Sequence, residues 1–246
     1  MEEPQESCPG SPYRQHAQRQ PDKGGGRDEK NILIYGDSNT WGYDVTRFVP
    51  ELNTCRRMTE AERWPGLVRR ALGAGCNVIE DALNGRTNVQ EDPYSPIRNG
   101  LKGLLIALDA HAPLDLVAIH LGCNELKHMY NLSAGMIARG AEALVQACGR
   151  SLYGYPAPRV LLIAPAPTRP DIGELRAGYN FGPLAYEKSR ELGRWYRAVA
   201  ERNGCGFIDC ADLHFTLNDL DGLHYSKADH AKLAAAAERA IREMLG

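Results

Sequence analysis

The sequence predicts an α/β fold, a three-layer α/β/α sandwich in which helices cover both faces of a five-stranded parallel sheet. Short apolar segments alternate along the chain with longer segments whose apolar residues recur at helical spacing. Strands that alternate with helices pair in parallel and are buried on both faces. Because residues 30–246 contain no internal repeat and no linker, we expect them to form one domain.

The five predicted strands are short apolar segments, and most of them are followed by a glycine, a proline or an Asn-Gly pair. These residues favour turns, so they mark where a strand ends. In chain order the predicted strands are Asn31–Tyr35 before Gly36, Asn77–Ala82 before Asn84-Gly85, Asp115–Leu121 before Gly122, Arg159–Ala164 before Pro165, and Gly206–Asp209.

The predicted helices lie between and after the strands, where the apolar residues recur three and four positions apart. In chain order they are Glu60–Leu72, Ile97–Asp109, Ser133–Cys148, Gly182–Arg202 and Ser226–Leu245. Ser133 belongs to the residue types that cap helix N-termini. We expect segments 41–58 and 168–181 to be loops near the site, where substrate specificity should lie.

The composition excludes several classes of protein. Twenty-nine basic and 31 acidic residues give a formal net charge of −2, which provides no electrostatic footprint for nucleic acid. No apolar run approaches the ~20 residues that cross a bilayer. The seven cysteines are scattered without a C-x-x-C pair, which indicates neither a zinc site nor a dense disulfide framework. We therefore expect no nucleic-acid partner and no membrane span.

Residues 1–29 differ from the rest of the chain because they contain no Leu, Ile, Val or Phe. Such a segment cannot bury enough apolar surface to offset the entropy lost on ordering, so we expect a disordered tail. The segment also contains no apolar run of the kind that signal peptides have. Together with the cysteine pattern, this favours a cytoplasmic location.

Ligands of open α/β sheets bind outside the carboxyl ends of the strands, so polar residues that follow a strand are the candidates for chemistry. The segment Gly36–Thr40 (G-D-S-N-T) follows the first predicted strand. Its Ser38 is a candidate nucleophile. The alternative is that Asp37, Ser38 or Asn39 only caps a helix.

Two further strand ends offer hydrogen-bond donors. Gly85 follows the second strand, where its backbone N–H is either aimed at a substrate oxygen or part of a plain Asn-Gly turn. Asn124 follows the third strand, where its amide either donates to an oxyanion or belongs to an ordinary loop.

A carboxylate and an imidazole stand three residues apart just before the last helix, at Asp221 and His224. The Asp221 carboxylate can accept the ring Nδ1–H, which leaves Nε2 free as a base towards a serine. The alternatives are a solvated loop, or a metal site that also includes Asp219 and His230. The spacing of the two histidines matches no standard hydrolytic zinc signature, so we expect no metal.

These four blocks, in this order, resemble the SGNH hydrolases, also called GDSL-type esterases, over roughly residues 31–245. The family is named for a Ser, a Gly, an Asn and a His, which here are Ser38, Gly85, Asn124 and His224. The stretches I-Y-G-D-S-N-T-W-G, L-N-G-R-T and D-G-L-H-Y-S are most similar to the bacterial arylesterase and acyltransferase branch, as is Y-P-A-P-R-V-L-L-I-A-P-A-P at residues 155–167.

Two residues depart from the family pattern. Asn39 stands where the first block commonly has Leu, and Glu125 stands where the third block usually has Asp. The family's acid at that position buttresses the loop rather than reacts, and Glu is one methylene longer.

The resemblance implies a flavodoxin-like fold and a serine esterase that hydrolyses small aryl or alkyl carboxylic esters through an acyl-enzyme. It assigns the triad to Ser38, Asp221 and His224. It assigns the oxyanion hole to the Ser38 and Gly85 N–H groups and the Asn124 amide. It implies no metal and no organic cofactor, a small-molecule ester as the partner, and it leaves a homo-oligomer open.

Other activities are compatible with the same residues. The chain could act as an acyl thioesterase, a lysophospholipase or a carbohydrate deacetylase, or it could transfer the acyl group to an alcohol. A non-catalytic binding protein on the same fold is an alternative of another class, which the intact triad disfavours. We expect Asp37, Trp41 and Tyr43 to help bind the substrate.

Overall fold

The computed structural model describes residues 29–150 and 152–246. Its strands are β1 (Lys30–Gly36), β2 (Tyr43–Val49), β3 (Thr54–Arg57), β4 (Cys76–Ala82), β5 (Leu116–His120), β6 (Arg159–Ala164) and β7 (Gly206–Asp209). Its helices are α1 (Ser38–Trp41), α2 (Trp64–Leu72), α3 (Gly100–Ala110), α4 (Ala134–Cys148), α5 (Gly178–Phe181), α6 (Ala185–Asn203) and α7 (Lys227–Leu245). Apart from Glu29, the tail expected to be disordered lies outside the described residues.

Five strands form one parallel sheet in the order β4-β1-β5-β6-β7. This is the flavodoxin-like order, and the predicted five-stranded parallel sheet is confirmed. The chain runs from β1 outward to β4 and then returns to the other side of β1 to form β5. The strand order therefore reverses at β1, and its carboxyl end is where a ligand crevice is expected in such sheets.

The core is divided into two layers because successive residues of a strand face opposite sides of the sheet. In β1, Leu33 and Tyr35 belong to the apolar cluster under α3, α4 and α6. Ile32 and Ile34 belong to the cluster under α2 and α7. All four side chains are fully buried, and each aliphatic one stabilises the fold by roughly 1.5–3 kcal/mol. Both faces of β1 are thus packed against helices, and this strand provides a fixed starting point for the loop that follows it.

Segment 41–58, predicted to be a loop, contains an antiparallel hairpin of β2 and β3. The pairing register shifts between Asp44 and Phe48, so the alternation of apolar and polar residues is interrupted within β2. Such a bulge removes the period of two by which a strand is recognised in a sequence. Segment 168–181 likewise contains a short helix, α5.

Three helices begin three or four residues later than predicted: α2, α3 and α6, the last at Ala185 rather than Gly182. For α2 and α3, chemistry at the first turn decides the start. Pro65 occupies the first turn of α2, which begins at Trp64 rather than at Glu60. The Asn99 side chain accepts a hydrogen bond from the Lys102 N–H and caps α3, which begins at Gly100. The predicted cap of α4 is confirmed, since the Ser133 side chain accepts from the Met136 N–H.

None of the helices in the described part of the chain has both the length and the apolar content that a bilayer crossing requires. The cysteines in that part are all free thiols. Four of them, Cys55, Cys123, Cys148 and Cys210, are buried. Three of these, Cys123, Cys148 and Cys210, belong to the two apolar clusters of the core.

Candidate active site

Ser38 stands at the carboxyl end of β1, as the first residue of α1. Asp37 caps this short helix, since its Oδ1 accepts a hydrogen bond from the Asn39 N–H at 2.9 Å. The turn requires glycine at position 36, because a Cβ there would lie 2.1 Å from Thr40 Oγ1. Local sequence thus folds the chain sharply after β1 and presents the Ser38 hydroxyl at the edge of the sheet.

The structure brings Ser38, His224 and Asp221 together in one line of hydrogen bonds. Ser38 Oγ lies 2.9 Å from His224 Nε2, and His224 Nδ1 lies 2.5 Å from Asp221 Oδ2. The other carboxylate oxygen, Asp221 Oδ1, accepts from the backbone N–H groups of Leu223 and His224, each at 3.1 Å. The loop before α7 therefore holds the imidazole towards the serine.

The electrostatics of Asp221 fix the tautomer of His224. Burial acts to raise the pKa of Asp221, but the hydrogen bonds from the His224 ring and the two backbone N–H groups hold it below the usual value. The carboxylate is consequently ionised at neutral pH and can only accept hydrogen bonds. Nδ1 must then carry the ring proton, and Nε2 is left to accept the Ser38 hydroxyl.

Gly85 and Asn124 lie on the two loops that flank this serine. Gly85 has a φ of +77°, a left-handed conformation that glycine adopts without strain. Asn124 opens a single turn after β5, and its Nδ2 donates to the Arg86 carbonyl at 3.0 Å. The Asn124 amide is therefore tied to the residue next to Gly85, so the two candidate donors are held together.

These residues converge on one cleft of about 510 Å³, lined by Ser38, Gly85, Asn124, Asp221 and His224 among others. A cleft of this size suits a small molecule. A larger cavity of about 740 Å³ lies between residues 166–171 and 210–217, but it contains none of these groups. The convergence of polar side chains identifies the smaller cleft as the site.

The three residues expected to bind substrate differ in their placement. Tyr43 lines the cleft, and its ring centroid lies 4.7 Å from that of His224. Asp37 is 1% exposed, accepts hydrogen bonds from Asn39 N and Cys123 Sγ, and does not line the cleft. Its burial raises its pKa. Trp41 also does not line the cleft, and its ring centroid lies 5.2 Å from the guanidinium carbon of Arg57.

The family follows from the sequence match between residues 34 and 232, which fit the model of the GDSL-like Lipase/Acylhydrolase family. The chain belongs to this family. The family match and the similarity to solved esterase structures show that it is a carboxylic-ester hydrolase. The expected resemblance to the SGNH hydrolases is confirmed.

Solved structures similar to this acylhydrolase include two esterases. Est24, a carbohydrate acetylesterase from Sinorhizobium meliloti, is 33% identical with a TM-score of 0.79, over 88% of this chain and 100% of that one. The aryl esterase of M. smegmatis is 32% identical with a TM-score of 0.78, over 87% and 99%. A lipase/acylhydrolase from Enterococcus faecalis shares the fold at 21% identity and a TM-score of 0.62, over 87% and 96%. Among curated proteins, no sequence matches the chain.

Asn39 has a placement in this acylhydrolase that the sequence did not indicate. Its Nδ2 donates to the Leu223 carbonyl at 3.4 Å, and its Oδ1 accepts from the Tyr225 N–H at 3.0 Å. The Asn39 side chain is thus hydrogen-bonded to the backbone of the residues directly before and after His224. No sequence pattern indicates these contacts, because the two segments meet only in the tertiary structure.

Glu125 joins the Asn124 turn to the loop of Gly85. Its Oε1 accepts a hydrogen bond from the Asn88 N–H, whereas its Oε2 is buried and has no partner among the described residues. Burial raises the pKa of Glu125 to about 8. This acid therefore supports the loop in the acylhydrolase, and it does so mainly in its neutral form at pH 7.

The four residues considered as metal ligands have separate partners in the acylhydrolase. Asp219 pairs with Arg169, Asp221 with His224, and His230 Nδ1 accepts from the Trp64 N–H at 3.2 Å. In the described part of the chain, no group of three or more His, Cys, Asp or Glu side chains is arranged to hold a metal ion.

Proposed function

We propose that the enzyme cleaves carboxylic esters through an acyl-Ser38 intermediate, with Ser38, His224 and Asp221 as the catalytic triad. The observation that carries the proposal is the unbroken line of hydrogen bonds from Ser38 Oγ through the imidazole to the Asp221 carboxylate. A serine hydroxyl is a weak nucleophile until an oriented base accepts its proton. This arrangement provides that base at the reacting atom.

In the first half of the reaction, Ser38 Oγ attacks the ester carbonyl carbon while His224 Nε2 takes the hydroxyl proton. The tetrahedral oxyanion accepts hydrogen bonds from the Ser38 N–H, the Gly85 N–H and Asn124 Nδ2. The imidazolium then protonates the leaving alcohol. In the second half, water attacks the acyl-enzyme with His224 again as the base, and the carboxylic acid leaves.

The substrate class that we propose is a small ester with a short acyl group on an aryl or carbohydrate alcohol. Support comes from the similarity to an aryl esterase and to a carbohydrate acetylesterase, at 32% and 33% identity. The cleft volume of about 510 Å³ fits substrates of this size. Thioesters and lysophospholipids use the same triad, and a panel of substrates compared by kcat/KM separates them.

Transfer of the acyl group to an alcohol is a second outcome of the same intermediate. Water at ~55 M competes with any alcohol, so transfer dominates only where the cleft binds the alcohol. The test supplies vinyl acetate and benzyl alcohol in buffer and measures the ratio of benzyl acetate to acetate. A product ratio above the molar ratio of benzyl alcohol to water would support transfer, and a ratio equal to it would contradict transfer.

The triad is tested by Ser38→Ala with 4-nitrophenyl acetate as the substrate. We expect kcat to fall by ~10⁴-fold or more, because a triad acts as a unit that fails when the nucleophile is lost. Ser95→Ala is the matched control, since Ser95 lines the same cleft without contacting His224, and kcat should stay within about a factor of ten. A Ser38→Ala enzyme with near-wild-type kcat would contradict the proposal.

A further inference from the structure

Two cationic side chains stand beside Gly85 in the cleft. A Cβ built on Gly85 would lie 3.4 Å from Arg98 Nε and 3.9 Å from Lys127 Nζ. Both residues line the cleft together with Ser38 and Asn124. The space into which a side chain at position 85 would project is therefore flanked by a guanidinium and an ammonium group.

The backbone of each cation is fixed to a segment that carries a proposed oxyanion donor. The Arg98 carbonyl accepts from the Thr87 N–H at 2.9 Å, two residues after Gly85. The Lys127 N–H donates to the Asn124 carbonyl at 3.2 Å within the same turn. The positions of both cations are thus set by the same loops that position Gly85 and Asn124.

Neither cation has a carboxylate partner in residues 29–150 and 152–246. A third cation, Arg176, also lines the cleft, with its guanidinium 4.0 Å from the centroid of the Phe48 ring. The cleft has two carboxylates. Asp221 is engaged by His224, and Asp92 Oδ1 accepts from the Tyr94 N–H at 2.9 Å. The cleft lining therefore has three cationic side chains against two carboxylates, and the two cations beside Gly85 have no carboxylate paired with them in the described residues.

We propose that the cleft selects esters that carry a carboxylate group, which Arg98 and Lys127 bind beside the reacting carbonyl. The proposal rests on the proposed esterase function of this cleft and names its substrate class. The planar guanidinium matches a carboxylate with two parallel N–H donors, and the ammonium adds a compact charge. Such an anion also relieves the repulsion between the two cations.

The same two cations could instead act on the oxyanion of every ester, so the test compares matched charged and neutral substrates. One pair places the carboxylate on the alcohol, 4-acetoxybenzoate against 4-acetoxybenzamide. The other places it on the acyl group, mono(4-nitrophenyl) adipate against 4-nitrophenyl hexanoate. In at least one pair, wild-type kcat/KM for the charged ester should exceed that for the neutral ester by about tenfold, after subtraction of uncatalysed hydrolysis.

The double variant Arg98→Gln/Lys127→Gln should lower this charged-to-neutral ratio by about tenfold, because charge-assisted hydrogen bonds to the carboxylate are lost. Lys102→Gln is the control, since Lys102 pairs with Glu91 and does not line the cleft, and its ratio should equal that of the wild type.

A wild-type ratio near one in both pairs would overturn the proposal. A double variant that keeps the wild-type ratio would overturn it as well, because the cations then serve all esters alike. An enzyme that hydrolyses neither member of either pair would instead contradict the proposed esterase function.

Discussion

The imidazole of His224 is constrained by contacts on several sides. Its two ring nitrogens face Ser38 and Asp221, its ring face lies against Tyr43, and Asn39 binds the backbone on both sides of it. Groups held in their reacting geometry need no reorganisation during the reaction. At the residue scale, the proposed chemistry therefore depends on side chains that are already in place in the free enzyme.

Replacing Asn124 with alanine removes one proposed oxyanion donor. We expect kcat to fall by roughly 10²–10³-fold, the usual cost of losing such a donor. Asn180→Ala makes the same substitution at an exposed position lining the cleft and should change kcat little. Melting temperature measured on both variants separates catalysis from folding. If Asn124 only supports the loop, its variant will lose thermal stability and keep the kcat of the folded fraction.

Glu125 predicts a pH dependence of stability. Its pKa is about 8 in the folded protein, where the carboxyl group is buried, and 4.5 in an unfolded chain, so the folded state retains a proton that the unfolded chain releases. The contribution of Glu125 to the free energy of unfolding of the wild type therefore falls as pH rises from about 4.5 to about 8, and it is constant above that range. The glutamine side chain of the variant Glu125→Gln does not ionise, so its contribution to the free energy of unfolding does not change over this pH range.

The measurement is the free energy of unfolding of Glu125→Gln minus that of the wild type, across pH 5–9. This difference should rise with pH up to about pH 8, by no more than about 5 kcal/mol. The buried His120 and His230 have pKa values lowered to about 3 and about 4 by burial, and they titrate in both proteins, so the difference cancels their effect. A difference that does not change with pH would show that Glu125 is ionised when folded.

At the scale of elements, α1 and the loop before α7 are joined by Asn39. These two elements carry the proposed nucleophile and base, which are 186 residues apart in the chain. Each also has its own local support, since Gly36 permits the turn before α1 and a capping box at Ser226 and Asp229 starts α7. Local capping determines where each helix starts, whereas the hydrogen bonds of Asn39 determine how α1 and the loop before α7 are positioned relative to each other.

Asn39→Ala should therefore lower kcat about tenfold or more while KM changes little, because the imidazole loses its alignment with Ser38. Loss of the two buried hydrogen bonds should also destabilise the fold by about 1–3 kcal/mol. Asn218→Ala is the matched control. Its Oδ1 accepts from the Leu220 N–H within the same loop, without reaching α1. Equal values of kcat in the two variants would show that Asn39 does not align the site.

At the scale of the whole molecule, the sequence predicts the strands better than the helices and the surrounding loops. All five strands of the parallel sheet lie within one residue of their predicted ends. The three inner strands, β1, β5 and β6, are easy to locate because strands buried on both faces are nearly continuous apolar runs. Helix ends depend on caps and first-turn residues, and α2 begins four residues later than predicted. Helices of the described part of the chain pack on both faces of the five-stranded sheet, which supports the single domain that we propose over residues 30–246.

The same contrast applies to the site. Ser38, Gly85 and Asn124 follow strands that the sequence locates, so the sheet topology brings them together. Arg98 and Lys127 reach the cleft through the fold of their loops, which periodicity does not predict. Their part in the site became visible only with the structure.

Ser38 as the nucleophile can be tested by covalent labelling of the full chain with a fluorophosphonate probe, followed by mass spectrometry of its peptides. The probe reacts with a serine only where an adjacent base activates the hydroxyl. We expect one adduct, located at Ser38, in the wild type and in Ser95→Ala, and no adduct in Ser38→Ala. An adduct on another serine, or labelling of Ser38→Ala at the wild-type rate, would contradict the assignment of Ser38 as the nucleophile.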